Sequence, residues 1–570
     1  MRTTPIRRPG GLDHRLAAVL MAAAAVLFLT RLGARDLWAP DEPRYAAIAE
    51  ELRSFEHGPS GLVLLHLNGE PYTQKPPLWY WLAAAFGAPA GRVTEAAARL
   101  PSAFAGLATL GLVLWLGTRL LSGPAALLGA ALLATTWGFA ENARRAQLDP
   151  LLTLLETAAL VAFYRLDRGI GSRRRGLLAL HGAMGLAVLT KGPVGFLVPV
   201  SVIACFLLLD GRLRDLAGLL RPAGLVLSLG PALAWLAGAV ALAPPGFFGE
   251  AVVENVLGRF FAGTSHARPF YYFFYQFPVE LLPWSLLLPW VVPEVWRHLK
   301  SPELPEPERR AWRLLTAWVV ATFVFFSLSG GKRGIYMMTA LPGAALLIAG
   351  ALEAKLAGRV HLPPGLRVLG WVGAGLLALV GAAGTLAPDR ATGLLGGFGE
   401  LVPEATAPLL LAIAALAAAA TWLPGRMRAL PLARITVSVG AAAAVQLVYF
   451  AVVQPALDPE KSPRPIAEAA AALTPPGARI GLVGDRALVG GLLYYGGRRV
   501  AQLEDAEAIR AFVQRGGRAI VVKRRKLDRV TRVIPVEVRF EARSGRRAIV
   551  VVTPTGPVPA PPAVPSDPDS

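Results

Sequence analysis

The sequence predicts a polytopic α-helical membrane protein of about thirteen spans with a small exterior α/β domain at its C-terminal end. Three observations lead there. Of 570 residues 54% are hydrophobic and only 17% charged, where a soluble chain carries about 25% charge. Apolar runs of about 17 to 23 residues recur along the first 455 positions, each long enough to cross a hydrocarbon core of roughly 30 Å as a helix. After Gln454 the texture changes: Pro455, Pro459, Pro463 and Pro465 break the chain, and no later run could span.

The spans begin near residues 16, 98, 124, 149, 176, 193, 222, 281, 312, 335, 366, 407 and 434, giving a transmembrane region over 1–455. The first, 16–32, follows a basic start but has no small-x-small cleavage site, so it reads as a membrane helix and not as a signal peptide. An odd number puts the termini on opposite sides. With Arg2, Arg7, Arg8 and Arg15 in the cytoplasm, the cytoplasmic loops hold 24 Lys and Arg, and the opposite face holds 15 spread over more chain. That asymmetry is what the positive-inside rule demands: N-terminus cytoplasmic, C-terminal domain exterior.

Two exterior loops are long, 33–97 and 244–280. In the first, Tyr45, Ile48, Ala49, Leu52 and Phe55 follow helical spacing with Glu50, Glu51 and Arg53 opposite, the pattern of a short amphipathic helix on the bilayer surface. The run 78–90, LWYWLAAAFGAPA, is too short to span and suits an interfacial or re-entrant element. Residues 459–552 read as a soluble α/β domain, with strands at 478–484, 517–523 and 546–553 and a helix over 506–516. The tail 553–570, rich in Pro, Ala and Ser, reads as disordered.

The net charge of +20 does not indicate nucleic acid, because the basic residues are scattered over short loops between apolar spans. The single cysteine, Cys205, excludes an intrachain disulfide and a cysteine-based zinc site.

Ionisable groups beside lipid are costly, so those gathered at one face are the first candidates for function. Asp41 and Glu42 open the surface helix; Asp41 is either its N-cap or a working carboxylate. Lys75 lies in NGEPYTQKPPLWYW on a stiff segment at headgroup level, either snorkelling or binding phosphate. Arg144 and Asp149 in ARRAQLDP are either a helix-terminal charge pair or part of a site. The segment 254–278, ENVLGRFFAGTSHARPFYYFFYQFP, offers Asn255, Arg259 and His266 among aromatics, fitting an interface belt or a phosphate head beside an isoprenoid tail. Lys332, Arg333 and Tyr336 in GGKRGIYMMTALPG and Lys191 in TKGP complete the set. Together they suit transfer from a lipid phosphate: cations or a metal for the leaving group, a carboxylate for the acceptor, a groove for the lipid.

The order and wording of DEPRYAAIAEEL, NGEPYTQKPPLWYW, RLPSA, RRAQLD, LTKGP, the ENVLGRF to SHARPF loop and KRGIYMMTALPG resemble the GT-C membrane glycosyltransferases. The likeness is to the bacterial 4-amino-4-deoxy-L-arabinose (lipid A) transferase family, related to protein mannosyltransferases, and covers most of residues 35–343. It implies thirteen spans and an exterior C-terminal domain. It implies an essential acid at Asp41 with Glu42 beside it and a second at Asp149. Lys75 and Arg259, with Lys191, would hold the donor phosphate. Tyr336 would line the cavity, with Tyr72, Arg144 and Lys332 on its acceptor side. His266 would bind a divalent metal (zinc, magnesium or manganese), but Gln74 stands where the family usually carries Glu, and an amide is a weaker ligand.

The expected activity is therefore transfer of a sugar from a polyprenyl phosphate, undecaprenyl phosphate, to an acceptor at the exterior face, such as lipid A or another envelope glycolipid. The enzyme alternative is a protein O-mannosyltransferase. The alternative of another class, a transporter or lipid flippase, would bury charges near the bilayer midplane in paired repeats, which the sequence does not show.

Overall fold

The structure, a computed structural model, describes residues 11–262, 266–356, 431–545 and 547–556, with residues 375 and 378; at 256, 257, 259–262, 431–434, 436 and 437 it describes backbone only. The spans expected from 366 and 407, and the tail beyond 556, lie outside the described residues.

Helix α1 (His14–Leu29) is capped by Asp13, whose carboxylate accepts from the Arg15 and Leu16 amides at 2.9 and 3.2 Å. In the first long loop follow α2 (Asp41–Arg53), the hairpin β1 (His66–Leu67) and β2 (Glu70–Pro71), and α3 (Leu78–Gly87). Next come α4 (Glu95–Leu120), α5 (Gly123–Ala134), α6 (Trp137–Ala143), α7 (Asp149–Asp167), α8 (Arg173–Lys191), α9 (Val194–Leu209), α10 (Asp215–Leu219) and α11 (Pro222–Leu242). After the helical segment Gly249–Ala262 come α12 (Tyr272–Glu280), α13 (Leu288–Lys300), α14 (Glu306–Leu328) and α15 (Leu341–Leu356).

Among the described residues five stretches are long and apolar enough to cross a membrane: α4, α11, α14, Gly334–Leu356 and Ser438–Ala456. α5 and α6, bent by 64° at their junction, make a sixth if counted together. α1 and α9 are apolar but shorter, at 16 residues each. The span expected from 281 is divided into the 3-10 turn Trp284–Leu287, which follows Pro283, and α13, which has Pro289 in its first turn and runs on through Pro293. Small residues bring the helices close: a Cβ on Gly117 of α4 would lie 2.9 Å from both Ala126 of α5 and Leu346 of α15.

α2 does not lie on a lipid surface. Its apolar side packs on α3, with the Tyr45 ring 5.7 Å from both Trp79 and Tyr80. Its polar side is covered too, by the C-terminal unit: a Cβ on Gly490 would come within 2.4 Å of the Arg44 Cα. Periodicity shows one apolar face; it cannot show that Asp41, Glu42 and Glu51 are buried among partners as well.

The C-terminal unit is a five-stranded mixed sheet of order β4-β3-β5-β7-β6, built from β3 (Ile480–Val483), β4 (Val500–Gln502), β5 (Ile520–Lys523), β6 (Val536–Ser544) and β7 (Arg547–Pro554). β3 pairs in parallel with β4 and β5, and β7 runs antiparallel between β5 and β6. β7 ends at Pro554, one residue past the expected strand and so into the expected tail. Asn68 of the first loop joins the sheet edge, donating to the Val500 carbonyl at 2.9 Å and accepting from its amide at 2.7 Å. The Tyr495 hydroxyl accepts from the Leu37 amide at 2.7 Å, and Asp458 accepts from the Trp38 indole at 2.7 Å.

At the centre of these contacts Glu42 has no exposure and accepts from Arg35 at 2.6 Å, Arg99 at 3.0 Å and the Ala146 amide at 3.0 Å. Arg99, equally buried, also donates to the carbonyls of Leu32, Arg35 and Asp36. Replacing Arg99 with Met should leave the Glu42 carboxylate undercompensated and cost about 3–5 kcal/mol. The expected result is a lowered melting temperature and loss of monodisperse protein in detergent.

Candidate active site

Pro40, not Asp41, precedes the first turn of α2, so the Asp41 side chain is released from capping. It turns outward to two arginines, Arg44 at 2.5 Å and Arg333 at 2.9 Å. Burial alone would raise its pKa, but the guanidinium charges of Arg333 and Arg44 outweigh burial and hold the carboxyl below its usual range. The Arg44 guanidinium also lies 5.2 Å from the Tyr45 ring centre.

A second pair forms where α7 begins and α8 ends. Lys191 donates to Asp149, and its ammonium lies 4.5 Å from the centre of the Tyr336 ring. Glu156, two turns deeper on α7 and 2% exposed, lies within electrostatic reach of Lys191; the sequence reading missed it, although its i, i+7 spacing from Asp149 was visible. The segment that joins the pairs is the 3-10 turn Gly334–Ala340 and the residue before it: Arg333 reaches Asp41, and Tyr336 lies under Lys191.

Three expected site residues are placed elsewhere. Glu42 is enclosed by Arg35 and Arg99 and has no face open to a substrate. Arg144 binds the carbonyls ending α1, Leu27 at 2.6 Å and Thr30 at 2.8 Å, with its guanidinium 4.6 Å from the Phe450 ring centre; its neighbour Arg145 takes the cavity wall instead. Lys332 donates to the carbonyls of Ser329 and Arg268, and Arg333 makes the contact with Asp41. Arg333 was already in the expected cluster; Arg145 was not.

Tyr72 is buried, its hydroxyl 3.5 Å from that of Tyr80 beside Tyr45. Gln74 and Lys75 are half-buried in the bend before α3. The Asn255 amide donates to the Thr73 hydroxyl at 3.4 Å, so the Gly249–Ala262 segment carrying Arg259 lies against the chain carrying Lys75. The Arg259 side chain lies outside the described residues. His266 is exposed in a left-handed conformation (φ 59°), and its carbonyl accepts from the Lys332 amide at 3.0 Å, pinning this loop to the KRG segment. Among the described residues the group of His, Cys, Asp and Glu side chains close enough to hold a metal is Glu51, Glu56 and His57, and His266 is not in it.

A cavity of about 230 Å³ opens beside Arg333, walled by Trp137, Glu141, Arg145, Gln276 and Glu280. Burial pushes the Glu280 carboxyl up, the Gln276 amide opposes this, and the charge of Glu141 adds to it.

This arrangement has relatives. The undecaprenyl phosphate-alpha-4-amino-4-deoxy-L-arabinose arabinosyl transferase of Pseudomonas savastanoi pv. phaseolicola is 32% identical over 377 residues, 64% of this chain and 67% of that protein. The chain belongs to this membrane glycosyltransferase family. The transferase of the same name from Pseudomonas aeruginosa PAO1 is 33% identical over 378 residues, 65% of each chain, so the match spans about two thirds of these relatives. The profile of the dolichyl-phosphate-mannose-protein mannosyltransferase family matches residues 15–242. In fold, the chain resembles ArnT from Cupriavidus metallidurans bound to undecaprenyl phosphate, with a TM-score of 0.74 at 22% identity over 95% of this chain and 98% of that one. The archaeal oligosaccharyltransferase AglB of Archaeoglobus fulgidus gives a TM-score of 0.50 at 14% identity over 90% and 69%. These two likenesses make the GT-C membrane fold plain.

Because the Asp41 pKa is depressed, the stability it contributes is present above its unfolded pKa and is lost as pH falls through the lower folded value. Replacing Arg333 with Gln removes one of the two cations holding it down. The acid limb of kcat/KM is then expected to move to higher pH, read from a rate profile between about pH 4 and 8.

Proposed function

We propose that this chain is a glycosyltransferase that moves a sugar from a polyprenyl phosphate to a phosphate-bearing acceptor at the exterior face of the bacterial inner membrane. The curated relatives supply the carrier and sugar by name, undecaprenyl phosphate and 4-amino-4-deoxy-L-arabinose. Lipid A, expected from the sequence resemblance, provides a phosphate acceptor. Thirteen spans, a cytoplasmic N-terminus and an exterior C-terminal unit complete the proposal.

The observation that carries the choice of acceptor is the Asp41 pair of arginines. A hydroxyl acceptor needs a base to take its proton, and a carboxylate held below its usual pKa by Arg333 and Arg44 is a poor one. A phosphate acceptor arrives ionised and needs no base. Its oxygen attacks C1 of the sugar, the bond from C1 to the carrier phosphate breaks, and the electron pair leaves with undecaprenyl phosphate. Asp41 orients Arg44 and Arg333, and Lys191, set by Asp149 and Tyr336, faces the departing charge.

No step is routed through a metal. His266 and Gln74 offer one imidazole nitrogen and one uncharged amide oxygen, a poorer set than the three protein ligands of a catalytic zinc site, usually His with a carboxylate.

The test uses full-length protein in nanodiscs with a labelled undecaprenyl-phosphate sugar, offering lipid A and a Ser/Thr peptide as separate acceptors. Transfer to lipid A with release of undecaprenyl phosphate is expected, and Asp41→Asn and Lys191→Ala should each slow it by about 100-fold or more. Transfer to the peptide alone would replace this reading with the protein O-mannosyltransferase one. Prolonged dialysis against a chelator should leave turnover within about twofold, given the weak donor set.

A further inference from the structure

The cavity beside Arg333 contains a carboxylate that the transfer step does not use. Glu280 ends α12 and is fitted into a cradle of two glycines: a Cβ on Gly138 would fall 2.4 Å from its Oε2, and one on Gly334 2.1 Å from its Oε1. Any other residue at either position would displace it. The Gln276 amide donates to Oε1 at 2.8 Å, and Glu141 stands across the cavity, its own carboxylate accepting from Gln454 at 2.8 Å.

Glu280 itself has no cation partner: among the described residues no Lys, Arg or His lies within ion-pair distance of it; Arg145 comes no nearer than 3.8 Å to Glu141, and Arg333 is paired with Asp41. An uncharged amide orients a carboxylate without neutralising it, and a half-buried carboxylate without a cation is costly. Sugar hydroxyls would be served by the amides already present; what Glu280 lacks is a positive charge. At about 230 Å³ the cavity is smaller than the several hundred Å³ of drug-sized sites, so it suits one sugar and not a lipid chain. It is also the right neighbour, because Arg333 forms its wall on one side and holds Asp41 on the other.

We propose that Glu280, oriented by Gln276 and faced by Glu141, receives the protonated amine of an amino sugar and sets the preference for amino over neutral sugars in the transferred group. This rests on the reading of the chain as a polyprenyl-phosphate-sugar transferase.

The test compares two donors on full-length protein in nanodiscs: undecaprenyl phosphate carrying 4-amino-4-deoxyarabinose, and the same donor N-acetylated and so uncharged. Wild type is expected to favour the amine donor in kcat/KM. Glu280→Gln should collapse that ratio by about 10- to 100-fold, chiefly through KM of the amine donor, the range for hydrogen bonds to charged groups. Glu280→Asp, which keeps the charge, should restore part of the preference, showing that folding is not the cause. Equal slowing of both donors in Glu280→Gln, an unchanged ratio, or a wild type indifferent to the amine would each overturn the inference. Release of undecaprenyl phosphate from neither donor by wild type would overturn the transferase reading itself.

Discussion

The packing around α2 depends on the Glu42 carboxylate. Its two oxygens accept from Arg35 in the first loop, Arg99 in α4 and the Ala146 amide before α7, three segments whose first and last are more than a hundred residues apart in sequence. Arg99 in turn collects the carbonyls of Leu32, Arg35 and Asp36, and Arg35 reaches Gln454 at 3.2 Å, where the C-terminal unit begins. A buried ion pair of this kind gains little net stability, because desolvation offsets attraction. What it supplies is register. Asp41 is the next residue along, so the position of the carboxylate that faces Arg333 is set by a neighbour that never meets substrate.

The membrane enters through a length. Asp149, Lys191 and Arg333 gather at one end of the helices, while Asp167 and Asp210 bind Arg212, Arg310 and Arg313 at the other. α7 joins the two clusters with 19 residues, about 28 Å of helix, close to one hydrocarbon thickness. Two ionic layers a bilayer apart, with the acid between them on α7, Glu156, buried inside the protein, are what lipid imposes on charged side chains. Arg212, Arg310 and Arg313, counted for orientation in the sequence, therefore have a second use, tying the ends of α7, α9 and α14 together.

The sequence made the motifs legible but not always the working residue within them. In Arg144–Arg145 and Lys332–Arg333 two cations stand side by side, and which one faces the cavity depends on where neighbouring carbonyls lie: those ending α1 take Arg144, and that of Ser329 takes Lys332. Tertiary geometry decides this, and no spacing encodes it. Glu42 was picked for chemistry because it sits beside Asp41, yet successive helical residues point about 100° apart, so one turns to the site and the other to the core. β6 was missed although VEVRFEARS alternates with period two. It is the edge strand of the sheet, and its apolar side is only partly buried. The docking of the C-terminal unit on α2, through Gly490, and on the β1–β2 hairpin, through Asn68, left no periodic trace at all.

Charge counting links the site to the reaction proposed for it. Asp41 and Asp149 contribute two negative charges, and Arg44, Arg333 and Lys191 three positive ones, leaving a single positive charge. In that reaction a phosphodiester-linked donor would bring one negative charge and a phosphate monoester acceptor about two more, beyond the single positive charge of the five groups. Transfer would turn the acceptor into a diester and the carrier into a monoester, so the total charge would stay constant while one negative charge moved from the acceptor phosphate to the carrier phosphate. Catalysis is served by stabilisation that appears only as that charge develops, so the placement of cations on the carrier side would matter more than their number. Asn255 ties the segment carrying Arg259 against the chain carrying Lys75, the two cations that the sequence resemblance assigns to that side.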